Sequence, residues 1–496
     1  MHLLGYDIGS SSIKATLIDA ETGRTAASAS YPPKEALIIA KKPGWAEQEP
    51  EAWWQDLKKA TAMIAKKNQK QLKDVGAIGV SYQMHGLVCV DKSLKPLRPS
   101  IIWCDSRAVK LGEKAAQKIG TQKSLKRLLN LPGNFTAAKL AWVRENEPSI
   151  YKKIYKVMLP GDYIAMKLTG LAQTSDSGLS EGIFWDYEKS GVSDLVIGAF
   201  GLDRRLLSDY APCFSIRGTV TQKAADELGI PKGAKISYRA GDQPNNALSL
   251  NVLEPGELAT TAGTSGVVYG VSDRPSYDPK SRVNTFIHVN NAPRHPRYGT
   301  LMCLNGTGIM NSWLKKNVAG GLDYPEINKL AAEVEPGSGG LFVHPYGNGA
   351  ERTLENQAPG ASFTGLSLTT HNRAHLLRAG QEGIVYALNY GVEIMKEMGI
   401  KVKTVRAGHA NMFLSPVFRQ VFAAVTGATV ELYDTDGSQG AARGAGIGAG
   451  IFKENKEAFK GLKKLSVTEP DKKLMRIYDG LYKEWKEILK ATVFRK

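Results

Sequence analysis

Cysteine is scarce in this chain of 496 residues, and its four copies (Cys89, Cys104, Cys213 and Cys303) are widely scattered. No C-x-x-C pair occurs, so a disulfide framework and a zinc site are both disfavoured, and a reducing cytoplasm fits the pattern best. No run of 18 apolar residues is present, which excludes a membrane-spanning helix on the simplest interpretation. The start, MHLLGYDIGSSS, lacks the basic stretch of a signal peptide, and we expect none.

Two common nucleotide-binding motifs are also missing. The sequence contains no G-x-x-x-x-G-K-[ST], which excludes a P-loop enzyme. It has no strand-linked G-x-G-x-x-G with a following ribose-binding carboxylate, which disfavours a dinucleotide fold. A phosphate site in this chain must therefore be of another type.

Acidic residues are outnumbered by basic ones, 48 against 65, which gives a net charge of +17 and a pI near 9.4. This balance invites a nucleic-acid interpretation, but no zinc finger, helix-turn-helix or aromatic-interleaved basic motif accompanies it. Much of the excess lies on lysines of amphipathic helical segments such as KKATAMIAKKNQK. We therefore favour a solvated basic face on a protein that handles anionic phosphates over a nucleic-acid-binding protein.

The length and the alternation of strands with helices predict two α/β domains. HLLGYDIG, IKATLIDA, TAASASYP and VGAIGVSYQ are typical of strands, and residues 51–67 have the apolar spacing of a helix. ELATTAGTSGVVYGV (257–271) repeats the strand, glycine turn and strand of GYDIGSSSIKATLID (5–19), which indicates two halves of similar topology rather than two unrelated hairpins. We place the boundary in IPKGAKISYRAG, giving domains 1–238 and 239–496.

The two glycine turns are candidates for a phosphate clamp. In DIGSSS (7–12) the backbone N–H groups and the hydroxyls of Ser10 and Ser11 can converge on phosphate oxygens, and Asp7 supplies a carboxylate for a hydrated Mg²⁺. TAGTSG (261–266) offers the same donors again. An ordinary hairpin is the alternative at each place, but two such turns facing each other would hold a polyphosphate from both sides.

Polar groups that suit a polyol follow two apolar strands. Gln83 and His85 of SYQMHG present an amide and an imidazole beside the apolar wall of Met84. In IIWCDSRA, Trp103 suits one sugar face, while Asp105 either accepts from hydroxyls or fixes the neighbouring Arg107. The alternatives are a structural histidine and a surface ion pair that caps the following helix.

Two glycine-rich segments near the C-terminus are interpreted differently. GHANMF (408–413) lies between a strand and a helix, where the backbone can approach a nucleotide closely; a simple loop is the alternative. GSQGAARGAGIGAG (437–450) looks like a phosphate loop, but its small residues at three- and four-residue spacing better suit a helix packed closely against a neighbour. Between these candidates, Asp242 of RAGDQPNN (239–246) stands in a glycine-led turn with no obvious helix to cap.

Together these stretches resemble the FGGY carbohydrate kinases of the actin-like superfamily, over most of the chain. QMHG, WAEQEPEAWW (45–54) and PGNFTAAKLAWV (132–143) are similar to the xylulokinases of that family. The resemblance implies two actin-like (ribonuclease H-like) domains flanking a catalytic cleft, in a cytoplasmic enzyme. It implies transfer of the γ-phosphoryl group of ATP, with Mg²⁺, to the 5-hydroxyl of D-xylulose. Related enzymes are often dimers, so a homodimer is expected, with no nucleic-acid or membrane partner.

Carried over by motif, the resemblance assigns roles to individual residues. Asp242 corresponds to the catalytic aspartate and Asp7 to the carboxylate of the Mg²⁺–phosphate site. The substrate-side residues are Gln83, Met84, His85, Trp103, Asp105 and Gln243. The ATP-side residues are Ser10, Ser11, Gly263, Thr264, Ser265, Gly308, Gly408 and Asn411. The chain departs from the family pattern at GHANMF, where a G-G-G-like run is common, and at Gln243-Pro244, which replaces Asn-Ala.

Three competing functions stay open at this point. Another FGGY activity, on ribulose, gluconate or glycerol, is the closest rival. A non-catalytic ATP-binding switch of the actin or chaperone type explains the paired turns but not the polyol pocket. A nucleic-acid-binding protein explains the charge alone, and it predicts steeply salt-dependent DNA binding.

Overall fold

The structure is a computed structural model, and it describes residues 1–493. Its strands are β1 (His2–Ile8), β2 (Ile13–Asp19), β3 (Thr25–Tyr31), β4 (Glu47–Gln48), β5 (Val75–Tyr82), β6 (Val88–Val90), β7 (Ser100–Ile101), β8 (Lys156–Met158), β9 (Gln173–Ser175), β10 (Trp185–Asp186), β11 (Gly191–Val192), β12 (Asp209–Ala211), β13 (Lys235–Gly241), β14 (Glu257–Ala262), β15 (Gly266–Ser272), β16 (Asn284–Ile287), β17 (Tyr298–Leu304), β18 (Phe342–Tyr346), β19 (Gly360–Thr364), β20 (Thr404–Gly408), β21 (Thr429–Tyr433) and β22 (Lys464–Thr468).

Helices cover both faces of the sheets that these strands form. They are α1 (Pro50–Leu72), α2 (Val109–Ile119), α3 (Thr121–Leu128), α4 (Thr136–Asn146), α5 (Pro148–Tyr151), α6 (Pro160–Thr169), α7 (Asp176–Glu181), α8 (Asp194–Phe200), α9 (Gln222–Leu228), α10 (Asp242–Ser249), α11 (Thr307–Asn317), α12 (Tyr324–Ala332), α13 (Arg373–Glu397), α14 (Pro416–Thr426), α15 (Gly437–Gly448) and α16 (Lys472–Val493). Across residues 1–493, none of them combines the length and the apolar character needed to cross a membrane.

The first sheet has the strand order β13-β5-β1-β2-β3. β1 pairs antiparallel with β2 and parallel with β5, which itself pairs parallel with β13. Side chains alternate between the two faces of a strand, so Tyr6 on β1 points toward α1 and donates or accepts a hydrogen bond at 2.8 Å with the Thr61 hydroxyl. Its neighbour Gly5 faces α15 on the opposite side.

The second sheet repeats this topology within a larger order, β16-β17-β15-β14-β20-β21-β22. β14 pairs antiparallel with β15 and parallel with β20, as β1 does with β2 and β5. The hairpins DIGSSS and TAGTSG therefore join equivalent strands, and the prediction of two halves with similar topology is confirmed. The predicted strands and the helix after Pro50 are present as well.

The chain passes from the first sheet to the second between Gly241 and Glu257. β13 belongs to the first sheet up to Gly241, so the predicted boundary at residues 238 and 239 falls inside a strand. A hydrophobic cluster that contains Phe135 from the first half and Phe286 from β16 crosses between the halves, with the two rings 6.1 Å apart. The division into domains 1–238 and 239–496 stays a prediction.

GSQGAARGAGIGAG forms helix α15, as its small-residue spacing predicts. The helix comes from the second half of the chain but packs on the first sheet, against β1, β5 and β13. A Cβ atom on Gly5 would lie 1.9 Å from the Ser438 carbonyl oxygen, and one on Gly79 would lie 2.0 Å from the Ala441 carbonyl oxygen. Glycine at both strand positions is therefore what lets the helix backbone approach this sheet so closely.

Candidate active site

Asp242 lies where the two sheets meet. Burial raises the pKa of Asp242 to about 7, and the negative charge of Asp7 adds to this effect, while hydrogen bonds from Gln243 oppose it. On the other side, burial and the Asp242 charge together raise the pKa of Cys303 on β17 to about 12. We call the solvent-accessible region bordered by Asp7, Asp242 and Cys303 the cleft.

The expectation that residues 239–246 form a turn without a helix is wrong. β13 runs to Gly241, and Asp242 is the first residue of α10. Pro244 made the segment look irregular, but a helix tolerates proline in its first turn, where N–H groups have no partner within the helix. Asp242 is therefore held by the junction of a strand and a helix.

Asp7 reaches the cleft from the end of β1. Its Oδ1 atom accepts a hydrogen bond of 2.8 Å from the Ser81 hydroxyl on the neighbouring strand. Burial raises the pKa of Asp7, and the charge of Asp436 contributes in the same direction. Asp436 caps α15 by accepting the Gln439 N–H at 3.0 Å. Two carboxylates thus approach one another at the start of α15.

This pair is the best candidate for a cation site in the described residues. Between residues 1 and 493, no group of three or more His, Cys, Asp or Glu side chains is arranged to hold a metal ion. Mg²⁺ does not need such a cage, because it keeps several waters and binds through one or two carboxylates together with substrate phosphates. The oxygen chemistry and mutual repulsion of Asp7 and Asp436 therefore fit Mg²⁺.

His85 presents a neutral imidazole to the cleft. Its Nδ1 donates to the Glu181 carbonyl oxygen at 2.9 Å, and its backbone N–H donates to the Glu181 carboxylate at 3.1 Å. Burial lowers the pKa of His85 to about 3, with further lowering by the positive charges of Lys139 and Arg352. Because Nδ1 carries the proton, Nε2 is left as a hydrogen-bond acceptor.

Lys139 joins the two segments that carry the predicted sugar contacts. Its buried ammonium group donates to the His85 carbonyl at 2.8 Å and to the Ile102 carbonyl at 3.0 Å. Burial lowers the pKa of Lys139 to about 7. Trp103, next to Ile102, is 53% exposed, and its Nε1 lies 3.5 Å from the Ser10 hydroxyl. The ring of Trp103 and the DIGSSS hairpin, both predicted to belong to the site, thus meet at one edge of the cleft.

Asp105 is occupied by protein groups. Its carboxylate accepts the Ala46 N–H at 2.6 Å and forms a buried ion pair of 2.7 Å with Arg107. The Arg107 guanidinium lies 3.7 Å from the centre of the Trp45 ring. Of the alternatives from the sequence, fixing of Arg107 is the one observed, and a surface ion pair is wrong because both side chains are buried. Arg107 is also not the first residue of the following helix, because α2 starts at Val109.

Gln83 and Met84 lie beneath the same part of the cleft. The Gln83 amide donates to the Gln48 side chain at 3.0 Å, and its own oxygen has no partner in the described residues. A Cβ atom on Gly241 would lie 2.5 Å from Met84 and 2.6 Å from the Glu181 carboxylate. QMHG therefore contacts the strand end that carries Asp242.

A cavity of about 830 Å³ opens beside the second hairpin. Gly263, Thr264, Gly308 and Asn411 of the predicted ATP-side set line it. The Gly308 N–H donates to the Gly263 carbonyl at 2.8 Å, which ties the hairpin to the start of α11. The hydroxyl-bearing Thr264 and Ser265 are exposed. The polar donors of the hairpin, together with the cavity beside it, suit a nucleoside triphosphate.

Three apolar residues that line this cavity were not found from the sequence. Ile309, Tyr324 and Leu414 are 39%, 40% and 47% exposed there, and these exposed apolar side chains suit a flat base. Of the three, Tyr324 has a nearby sequence signal, the capping box of α12, in which the Asp323 and Glu326 side chains accept each other's backbone N–H groups. That box marks a helix start but not a binding role.

The remaining predicted ATP-side residues lie outside the set that lines the cavity. Ser10 and Ser11 are in the first hairpin, where their carbonyl oxygens accept from Gln48 at 2.7 Å and from Ala36 at 2.7 Å. Gly408 ends β20 near the Thr435 carbonyl, toward Asp436. Sequence reasoning also missed Glu181, which orients His85 across 96 residues of chain.

Comparison with known proteins defines the class of this protein. Residues 2–249 match the N-terminal domain, and residues 258–451 the C-terminal domain, of the FGGY family of carbohydrate kinases. The chain belongs to this family, and it is an ATP-dependent sugar kinase. The family and the α/β fold inferred from the sequence are thus confirmed.

Particular relatives share most of the chain. A xylulose kinase of Escherichia coli (strain K12) is 32% identical over 448 residues, which cover 89% of this chain and 88% of the relative. A xylulose kinase of Klebsiella pneumoniae is 31% identical over 449 residues, with the same coverage. The crystal structure of xylulose kinase from Rhodospirillum rubrum superposes with a TM-score of 0.90 at 27% identity, covering 100% of this chain and 99% of the other.

Proposed function

We propose that this chain is a xylulose kinase, which transfers the γ-phosphoryl group of ATP to the 5-hydroxyl of D-xylulose. The observation that carries the chemistry is the position of Asp242, whose carboxyl group faces Asp7 on one side and Cys303 on the other. The xylulose kinases among its relatives support the choice of sugar.

Asp242 is suited to act as the general base. With a pKa of about 7, it is largely ionised at slightly alkaline pH and still able to accept a proton. As the sugar oxygen forms its bond to the γ-phosphorus, the bond from phosphorus to the bridging oxygen of ADP breaks. The hydroxyl proton passes to Asp242. Proton transfer of this kind contributes on the order of 10²–10⁴-fold, and positioning supplies most of the remainder.

The sugar is held on the opposite side from the nucleotide. The free Nε2 of His85 accepts a hydrogen bond from a sugar hydroxyl, because Nδ1 is already bound to Glu181. Met84 and the exposed face of Trp103 supply apolar contact for the carbon chain. Gln243, beside the base, adds an amide at the same site.

Asp7 and Asp436 would hold Mg²⁺ beside the phosphates. When bound there, Mg²⁺ supplies positive charge that neutralises the transferring phosphoryl group. The hydroxyl and N–H donors of the hairpin at Gly263, Thr264 and Ser265 orient the triphosphate from the second half. A homodimer and a cytoplasmic location stay predictions.

The test is a panel of candidate acceptors with coupled detection of ADP. The purified protein is offered D-xylulose, D-ribulose, gluconate and glycerol, and the product is identified by mass spectrometry and by its phosphorus–proton coupling. We expect the highest kcat/KM with D-xylulose and phosphate on its terminal carbon. A higher kcat/KM with another acceptor would reject the proposed sugar, and no sugar-dependent ADP with any of them would reject the proposed activity.

The Asp242→Ala variant then tests the mechanism. It should lose nearly all sugar-dependent turnover while D-xylulose still binds in calorimetry. Turnover within about tenfold of the unchanged protein would reject Asp242 as the base.

A further inference from the structure

Arg352 offers an unpaired positive charge to the cleft. It is the first residue of a short 3-10 helix, Arg352–Leu354, in the second half of the chain. Burial lowers the pKa of its guanidinium, and in the described residues the only titratable neighbour that opposes this is the thiol of Cys303. No carboxylate between residues 1 and 493 lies within 4 Å of it, unlike the buried Arg107 and Arg378, which pair with Asp105 and Glu382.

Arg352 acts electrostatically on residues from both halves of the chain. Its charge acts on His85, from the first half, and on Cys303, which also feels the charge of Asp242. Cys303 pairs across the sheet with Val267, directly after the TAGTSG hairpin. The charge of Arg352 therefore reaches the proposed sugar site and the strand pair next to the proposed phosphate hairpin.

The backbone at Arg352 is anchored to the same hairpin. The preceding residue, Glu351, is fully buried and accepts the Asn305 N–H at 2.9 Å. Asn305 leads into α11, whose Gly308 N–H donates to the Gly263 carbonyl. This chain of hydrogen bonds fixes the origin of the Arg352 side chain relative to the donors that hold the triphosphate.

Three carboxyl groups border the proposed point of transfer, and the proposed Mg²⁺ and the Arg352 guanidinium would both offset their charge. Asp7, Asp242 and Glu181 all contribute negative charge or a protonated carboxyl group there. In the transition state, the transferring phosphoryl group carries negative charge on its equatorial oxygens. In the proposed mechanism, this group passes between the base and the hairpin. A guanidinium matches that geometry, since it donates two parallel hydrogen bonds to phosphate oxygens.

We infer that Arg352 is a further catalytic residue, which binds the transferring phosphoryl group from the second half of the chain. This inference rests on the proposed kinase function. It assigns to Arg352 a contact that strengthens in the transition state, so its loss lowers kcat more than it weakens sugar binding.

The experiment compares Arg352→Ala and Arg352→Lys with the unchanged protein and with Arg274→Ala. Arg274 is an exposed arginine in the same half, away from the cleft. With D-xylulose and ATP, we expect kcat to fall about a thousandfold in Arg352→Ala. The decrease should be smaller in Arg352→Lys, which keeps the positive charge but loses the paired N–H donors of the guanidinium. Calorimetric Kd for D-xylulose should stay within about threefold of the unchanged protein. Arg274→Ala should show neither change.

Rescue separates a contact from a structural role. Added guanidinium ion at millimolar concentration should restore part of the kcat of Arg352→Ala in a saturable manner, and it should not restore Asp242→Ala. Thermal melting checks that each variant is folded; if Arg352→Ala is not, Arg352→Lys and Arg352→Gln carry the test.

Three results would overturn the inference. They are a kcat within about tenfold of normal in the folded variants, a large rise in the D-xylulose Kd with little change in kcat, or a loss of activity that guanidinium does not restore. Each leaves the unchanged protein active with sugar. An unchanged protein that phosphorylates no sugar would instead reject the proposed function.

Discussion

The carboxyl groups of Asp7 and Asp242 lie at the same edge of the first sheet, where the parallel strands β1 and β13 end. The charge of Asp7 contributes to the raised pKa of Asp242, which burial has already moved to about 7. Like charges held close together favour the protonated form of one partner. The pair therefore couples the proposed cation site to the proposed base.

The first prediction concerns the pH dependence of catalysis. Asp242 must be ionised to accept the sugar proton, so kcat/KM for D-xylulose should fall about tenfold per pH unit below pH 7 and level off above it. His85 is neutral down to a pH of about 3 and should add no second step in this range. A steady-state profile from pH 5.5 to 8.5 measures the curve, and a flat profile would contradict the assignment.

A second prediction follows for Asp7→Asn. Removing the charge of Asp7 removes one of the two causes that raise the pKa of Asp242, so the acidic limb of the profile should move to lower pH. The maximal rate should fall as well, because Asp7 is a proposed Mg²⁺ ligand. The position of the limb is measured apart from its height; a shift to higher pH would show that Asp7 does not repel Asp242.

Thermal stability gives a third prediction. Burial raises the folded-state pKa of Asp242 from its ordinary value of 3.8 to about 7, so folding retains a proton that the unfolded chain releases. The free energy of unfolding therefore falls as the pH rises from about 4 to about 7. Asp242→Asn cannot ionise, so its Tm should exceed that of the unchanged protein on the order of 2–4 °C at pH 8. Calorimetry at pH 5 and pH 8 should show the smaller difference at pH 5, and an equal difference would contradict the buried charge.

His85→Ala should act on the sugar rather than on the nucleotide. The variant loses one hydrogen bond to the ketose, so KM for D-xylulose should rise about tenfold while KM for ATP stays unchanged. His295 is exposed and lies away from the cleft, so His295→Ala is the matched control. An altered KM for ATP with a normal KM for the ketose would show that QMHG contacts the nucleotide rather than the sugar.

A fifth prediction concerns the contact between α15 and the first sheet. Gly5→Ala would place a methyl group against the Ser438 carbonyl, and rigid backbone on both sides should make this cost at least about 2 kcal/mol of unfolding free energy. Gly198→Ala in α8 is the control, because a Cβ there meets no atom within 4 Å and alanine favours helix. Denaturant unfolding of both variants measures the difference, and equal stabilities would contradict the close packing.

The parts of the site that local sequence patterns predict are the strand ends and hairpins. Asp7 lies at the end of an apolar strand, His85 and Gly263 follow two others, and strand periodicity finds such positions. Glu181 and Arg352 leave no local signal, since each matters only through residues far along the chain. Asp105 shows the opposite limit: its type suits a sugar contact, but burial with Arg107 and Ala46 uses its oxygens.

The helix α15 shows why the fold itself was predicted only in part. Small residues at helical spacing predict close packing, but they do not name the partner. Thr16 and Ser438 form a buried hydrogen bond of 2.7 Å across 422 residues of sequence, and no local pattern encodes such a pairing. Pairing between residues far apart in sequence also explains why a boundary drawn at a linker-like segment cut through β13.

The crossing of α15 has a consequence for biosynthesis. The first sheet emerges from the ribosome with one apolar face, around Leu3 and Ala77, uncovered until residues 437–448 have been translated. The amino-terminal half is thus an incomplete folding unit, dependent on a late segment for its last wall. Expressed as a fragment ending near residue 249, it should aggregate, and a fragment that carries residues 437–450 on a flexible tether should be recovered as a monomer.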